Sequence, residues 1–466
     1  MKFDENDYIQ LKNKSIKMFE DNQYSKSLRG LMDEKWINVR DFNKNSKEVI
    51  REYQLNRIKG IVDHAFVNIP LYHEKYKKVG YEAGDLKTWK DYENLPVLVK
   101  EELVSGFPDK IVKNTRDLNI TTRSSGSSGR FVTLALSIDA IYEDTIQGVR
   151  QFHFQSGGNY YANDTALFIY TCPWWFNSID GDYKQEFIPS TSDVKTALEA
   201  IRKIRPKVIS TYPTYLKKLC VENNNLKENG VELIVIHSEQ STLKLRKDFS
   251  KFFGIPVLDE LSSEELTRIA LECPNRKYHI EEDACYIDVV DPKTLKPLKD
   301  GNSGLIVGTN LLNKATPVIK YSQGDLATIH GDESCECGSN FRVLGAIHGR
   351  QMDSIVTNHE ELIPASAFMD LAYNWFLTDN IPIHGLKYQF VQNLCGKVDV
   401  FIIPDKFDID KKIVKNSLYK LIPKDMEVDV KIVNELPYAN TIKYRPVISF
   451  KKQMIEKSKK ETNLYV

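Results

Sequence analysis

The sequence has no excess of charge of either sign: lysine plus arginine and aspartate plus glutamate each number 64 among 466 residues. A balanced chain presents no broad field for nucleic acid or anionic lipid, so any anion has to be held by a local site. Long apolar runs are missing as well. No stretch approaches the roughly 20 apolar residues that cross a bilayer, and the opening MKFDENDYIQLKNKS lacks the apolar segment of an export signal. A cytoplasmic protein with neither membrane nor nucleic-acid partner is expected. Cysteine is scarce, at seven, and odd in number, which argues against a disulfide framework and points to metal or free-thiol roles. What is present is an ordinary globular composition, 41% hydrophobic and 27% charged, in a chain long enough for a large domain and a smaller one.

Residues 1–115 read as a mostly helical, polar lead-in, with amphipathic stretches such as YQLNRIKGIVDHAF and a turn at Asn68-Ile69-Pro70. From about residue 160, β-branched runs alternate with amphipathic ones: DTALFIY, VKTALEAIRKI, KVIST, TYLKKLC, VELIVIH, STLKLRKDFSKFF and IPVLDEL. Strand and helix in repeated alternation predict a mainly parallel sheet flanked by crossover helices, with ligands at the carboxyl ends of its strands. GLIVGTN, ATPVIKY and DLATIH follow without helices between them and predict an antiparallel subdomain. After Arg350, the runs KYQFVQN, KVDVFIIPD, IDKKIVKNSLYKLI and EVDVKIV predict a small α+β unit. The fold class is therefore α/β, with a large domain over 1–349 and a small C-terminal α+β domain over 350–466.

The most informative local feature is TTRSSGSSGRF, residues 121–131, ahead of a strand-like run. Glycines let backbone N–H groups turn inward around an anion, and serine hydroxyls add donors without bulk. Composition alone is equally that of a flexible Ser/Gly loop. A Walker loop is excluded, because the Gly-Lys-Ser/Thr ending is missing and a strand rather than a helix follows.

This loop resembles the Ser/Thr/Gly phosphate loop of the adenylate-forming superfamily of acyl-CoA synthetases, peptide-synthetase adenylation domains and luciferases. The chain is similar more narrowly to the phenylacetate-CoA ligase and capsule-biosynthesis branch. The resemblance continues in order through VIHSEQS, DELSSEELTRIALECP, YSQGD, GRQMDS and ANTIKYRPV, covering about 120–450. It implies that Ser124, Ser125, Gly126, Ser127, Ser128 and Gly129 hold phosphates. Ser238, Glu239, Gln240, Asp259, Glu260, Leu261 and Ser262 would surround the base, with Asp325 and Arg350 at the ribose. Glu265, placed on a helix, would be the magnesium carboxylate. Lys443 would be the catalytic lysine, carried by the small domain and swung about a hinge at Met352 and Asp353. Departures from the family pattern are Ser128, Arg130 and Phe131 in the loop, Leu261 where an aromatic usually covers adenine, and Ile442 for a glycine.

Cys273 and His279, with Cys335 and Cys337, make three thiols and an imidazole, the donor set of a closed tetrahedral zinc site. Spacing alone is equally that of free cysteines; the resemblance implies structural zinc. It also implies an acyl pocket near Trp174, Trp175, Phe176 and Tyr212, although clustered aromatics by themselves also read as core. The function implied is ATP- and magnesium-dependent activation of an aromatic or arylacetic acid to its adenylate, then transfer to coenzyme A. Alternatives are loading of a carrier-protein phosphopantetheine or an amine, and a non-catalytic zinc-stabilised nucleotide-binding protein. The resemblance also allows a homodimer.

Overall fold

The structure, a computed structural model, describes residues 5–114, 118, 120–124, 131–221, 225–359, 361–374, 387–394, 396–403, 410–438 and 444–450. The lead-in is helical as expected. Its longest helix, Lys47–Asn68, starts where the Ser46 hydroxyl caps Val49 N–H and ends before Pro70, which opens the next helix at its first turn. Ile50, Ile58, Ile61, Val62, Ala65 and Phe66 recur at helical spacing and are buried.

A 12-stranded sheet forms the centre. Strands Lys184–Pro189, Thr165–Tyr170, Val208–Thr211, Leu233–His237 and Val257–Ser263 lie side by side and parallel. Helices Val194–Ile204, Pro213–Val221 and Leu243–Phe253 bury Ala197, Leu216 and Phe249 against one face. Helix Ile138–Gln155 packs on the other through Ile146, Val149 and Phe152. The strand Lys184–Pro189, at the sheet edge, has an exposed and polar half and is not legible as a strand in the sequence.

The antiparallel strands expected after the parallel ones are present, and they continue the same sheet. After Ser263 the chain doubles back into Thr267–Glu272, followed across the sheet by Tyr278–Ile280, Val343–Arg350, Tyr321–Gly331, Ser303–Asn310 and Cys285–Val290. Two expectations are corrected here. Glu265 lies in the turn of a β-hairpin rather than on a helix: Thr267 has φ 62°, which stops any helix, and the residues beyond pair with strands on both sides. ATPVIKY is not a strand of its own; only its last residue, Tyr321, enters one. Pro317 has no N–H for a ladder, and the preceding N–H groups go to side chains, with Ala315 N–H donating to Asn313 Oδ1 at 3.1 Å.

Beyond Arg350 a four-stranded sheet runs in the order Glu427–Ile432, Lys397–Ile403, Lys387–Leu394, Val447–Ser449. Helices Ala365–Asn374 and Lys411–Leu418 help to give it a separate core around Phe368, Phe390, Val400 and Leu418.

Three consecutive acids, Glu281, Glu282 and Asp283, are buried at the turn that enters the strand Cys285–Val290. They are tolerated because each meets a guanidinium. Arg150 of helix Ile138–Gln155 pairs with Glu281 and with Asp283, donating to the latter at 2.8 Å, and Arg342 donates to Glu282 at 2.6 Å. The Arg150 contacts tie the helix under the parallel half to the antiparallel half. Arg150→Ala should therefore lower stability by about 3–5 kcal/mol, read as a shifted denaturant midpoint; a shift of under about 1 kcal/mol would show that the acids find other partners.

Candidate active site

Strands Thr121–Arg123 and Thr133–Ala135 form an antiparallel hairpin whose mouth is closed by Ser124. Its N–H donates to Val132 O at 2.9 Å, and its Oγ accepts from Val132 N–H at 3.0 Å. Ser125, Gly126, Ser127, Ser128 and Gly129, the remaining predicted phosphate ligands, lie outside the described residues, as does Arg130. The stem is anchored from the far side: Thr122 Oγ1 donates to Glu264 at 2.6 Å. Two motifs far apart in sequence, the serine-glycine loop and the turn carrying Glu265, are thereby joined directly.

Glu265 is buried, and burial pushes its pKa above the ordinary carboxylate value. Tyr321 donates to its Oε1 at 3.4 Å. On the same strand as Tyr321, Asp325 stands opposite Arg350, with Nε and Oδ1 3.7 Å apart. Between Tyr321 and Asp325 sits Gln323, which the sequence reading missed. Both its amide atoms are buried without a hydrogen-bond partner among the described residues, and so is Nε2 of Gln240. Gln240 is fitted against Gly349, φ 89°, where a Cβ would come 2.5 Å from its Oε1. Unpaired buried amides are costly, about 1–3 kcal/mol each. Gln323 occupies the Thr position of the Tyr-x-Thr-Gly-Asp pattern, and that departure was the only signal available for it.

At the end of strand Leu233–His237, Ser238 takes the left-handed conformation at φ 67°, its Oγ 2.9 Å from His237 Nδ1. Glu239 accepts from Thr214 N–H at 3.0 Å and from Thr214 Oγ1 at 2.9 Å. Its Oε1 also accepts from the backbone N–H of Tyr444 at 3.2 Å. Lys443 itself lies outside the described residues, but the residue after it is fastened to the loop predicted to hold the base. Arg445 pairs with Asp353 of the short turn Gln351–Asp353, where Met352 is exposed.

On strand Val257–Ser263 the Asp259 carboxylate accepts from Ser241 at 2.9 Å and Tyr278 at 2.6 Å, and burial raises its pKa to about 6. Its side chain thus serves the interior beneath the site. Glu260 accepts from Gln151 at 2.7 Å, Leu261 packs on the core, and Ser262 is exposed. Of the predicted pocket aromatics, Trp174 stacks on Phe168 at 6.4 Å and Tyr212 on Tyr170 at 5.1 Å, both at the strand ends. Trp175 and Phe176 instead pack on Phe19 of the N-terminal helix, at 5.5 and 4.9 Å.

Cys273, His279, Cys335 and Cys337 converge, their ligand atoms all within 4.8 Å of one another. The Cys273 and Cys335 sulfurs are 3.7 Å apart, close to the roughly 3.8 Å that two thiolates span across a tetrahedral ion with bonds of about 2.3 Å. His279 turns Nε2 to Cys337 at 3.2 Å and Nδ1 to the Phe341 carbonyl at 3.0 Å, the orientation of a metal-ligating imidazole held from behind.

No family model matches the chain. It is 24% identical over 334 residues to the phenylacetate-coenzyme A ligase of Pseudomonas putida, covering 68% of this chain and 74% of the relative. Among solved structures it is similar to 2-hydroxyisobutyryl-CoA ligase in the postadenylation state with 2-HIB-AMP, at 17% identity and TM-score 0.69, covering 88% and 91% of the two chains. ATP-bound MatB from Rhodopseudomonas palustris matches at 17% identity and TM-score 0.52, over 75% and 70%. The resemblance read from the sequence is borne out, and the fold is that of the adenylate-forming enzymes.

The Asp353–Arg445 pair fastens the C-terminal segment to the turn Gln351–Asp353, and its contribution can be measured. A double-mutant cycle on Asp353→Ala and Arg445→Ala should return a coupling of about 1–3 kcal/mol in unfolding free energy; additive effects would mean that the ion pair contributes nothing to stability.

Proposed function

We propose that this chain is an AMP-forming acid–thiol ligase: it activates a carboxylic acid with ATP and transfers the acyl group to coenzyme A. The hydrogen bond from Tyr444 N–H to Glu239 carries the reading, because it brings the segment bearing Lys443 to the predicted base-binding loop. In the first step a carboxylate oxygen attacks the α-phosphorus of ATP and the bond to pyrophosphate breaks. In the second a thiolate attacks the acyl carbon and AMP leaves with the bonding pair. Neither step needs a nucleophile from the protein. What is needed is charge compensation and orientation in a site shielded from water.

The chain's own groups meet that need. The serine-glycine loop donates to the outer phosphates, and Lys443 supplies a compact cation between substrate carboxylate and α-phosphate. Asp325 and Arg350 orient the ribose, and the unpaired amides of Gln240 and Gln323 take nucleotide atoms as partners. A magnesium ion, held by Glu265 and phosphate oxygens, would offset phosphate charge; a single buried carboxylate suits an ion that binds few protein groups. For the thiol to enter, the Tyr444–Glu239 contact must release, with Met352–Asp353 as the pivot of a domain rotation. The likeness to phenylacetate-coenzyme A ligases supports an arylacetic or related aromatic acid.

Zinc on Cys273, His279, Cys335 and Cys337 would be structural, since four protein ligands leave no open position. It would clip the loop after strand Thr267–Glu272 to the turn before Val343–Arg350, whose last residue is Arg350.

Lys443→Ala should slow ATP–pyrophosphate exchange by about a hundredfold or more while sparing thioester formation from a supplied acyl-adenylate; equal loss of both half-reactions would contradict the assignment. Cys335→Ser should reduce zinc to well under one equivalent by elemental analysis and lower the melting temperature. A variant that retains full metal and stability would show that Cys335 is not a ligand.

A further inference from the structure

Four neighbouring parallel strands end in a level row of polar side chains. Ile169 is in register with Thr211, Thr211 with Ile236, and His237 with Glu260, so Tyr170, Tyr212, His237 and Glu260 follow at one height across the sheet. At these strand ends Glu260 meets helix Ile138–Gln155 through Gln151, while Tyr170 and Tyr212 pack on the core of the other helices and present their rings to His237. The rings are in contact. Tyr170 and Tyr212 are stacked at 5.1 Å, and His237 tilts against them at 5.0 and 5.7 Å. Trp174, stacked on Phe168, lies on the Glu260 side, with the Arg268 guanidinium 5.5 Å from its ring.

Glu260 closes the row and is supported from behind. Gln151 donates to it at 2.7 Å and accepts from Arg268 at 2.8 Å; Arg268 in turn donates to the Asp144 carbonyl at 2.9 Å. The helix makes room for this relay at Gly148, where a Cβ would sit 2.6 Å from the Arg268 guanidinium. Burial would raise the Glu260 pKa, yet Arg268 and His237 hold it below the ordinary carboxylate value, so it is an ionised acceptor. Gln151 and the Ser262 hydroxyl take part of a carboxylate's about four acceptor sites, so capacity remains for a further donor. The row also adjoins the reacting centre, since His237 lies two residues before Glu239, on which Tyr444 docks.

Resting on the ligase reading, we propose that the acid activated here is aromatic and carries a ring hydroxyl that donates a hydrogen bond to Glu260. Flat aromatic walls fit the ring, and the carboxylate fits a donor. Arg268 already provides the cation of this cluster, so a neutral hydroxyl completes it without bringing in a second positive charge. An unsubstituted ring would leave the Glu260 carboxylate dehydrated against apolar carbon, which a site of this kind penalises heavily.

The test is ATP–pyrophosphate exchange by the full-length protein with acids differing by one hydroxyl: phenylacetic against 4-hydroxyphenylacetic, and cinnamic against 4-hydroxycinnamic. The hydroxylated member should show about tenfold or greater advantage in kcat/KM. In Glu260→Gln that ratio should fall towards one; if this variant does not fold, Glu260→Asp, which keeps the charge and shortens its reach, should lower it in the same sense. Equal rates for both members in the unaltered protein overturn the proposal, and an unchanged ratio in the Glu260 variants overturns the assignment to that residue. Absence of exchange with every acid overturns the ligase reading and this one with it, so the two failures are told apart.

Discussion

One carboxylate, Glu239, holds the site together. It receives the N–H and hydroxyl of Thr214 at the start of one helix, and the N–H of Tyr444 from the far end of the chain. The first two contacts fix the loop after strand Leu233–His237 to the large sheet. The third brings the C-terminal segment to that loop. A charge-assisted hydrogen bond of this kind is stronger than a neutral one but can still be exchanged for water.

The rest of the large domain supplies a rigid frame for that joint. Burying Glu281, Glu282 and Asp283 is tolerable only with Arg150 and Arg342 in place, and those pairings bind the parallel and antiparallel halves of the sheet into one body. The Cys273, His279, Cys335 and Cys337 cluster adds a second tie at the edge of the same hairpin system. Together they fix the strands that carry Asp325 and Arg350 and the hairpin turn that carries Glu265 within one body.

Polarity is distributed unevenly around the site. On the nucleotide side, buried amides without partners leave room for a ligand rich in donors and acceptors. On the acyl side the strand ends combine stacked rings with a carboxylate braced by Gln151 and Arg268. Trp175 and Phe176, which the sequence marks as pocket aromatics, instead help to seat the N-terminal helix through Phe19.

The sequence by itself determined the alternation of strands and helices, the order of the motifs, and the pairing of a Cys-and-His segment with a Cys-x-Cys turn, because period and composition are local properties of a chain. It could not determine that Thr267–Glu272 is a strand, since that depends on partners on both sides. Nor could it show that Asp259 faces the interior, that Gln323 is buried without a partner, or that Tyr170, Tyr212, His237 and Glu260 stand in one row. Those facts arise from register between strands distant in sequence and from burial, which only the packed molecule decides.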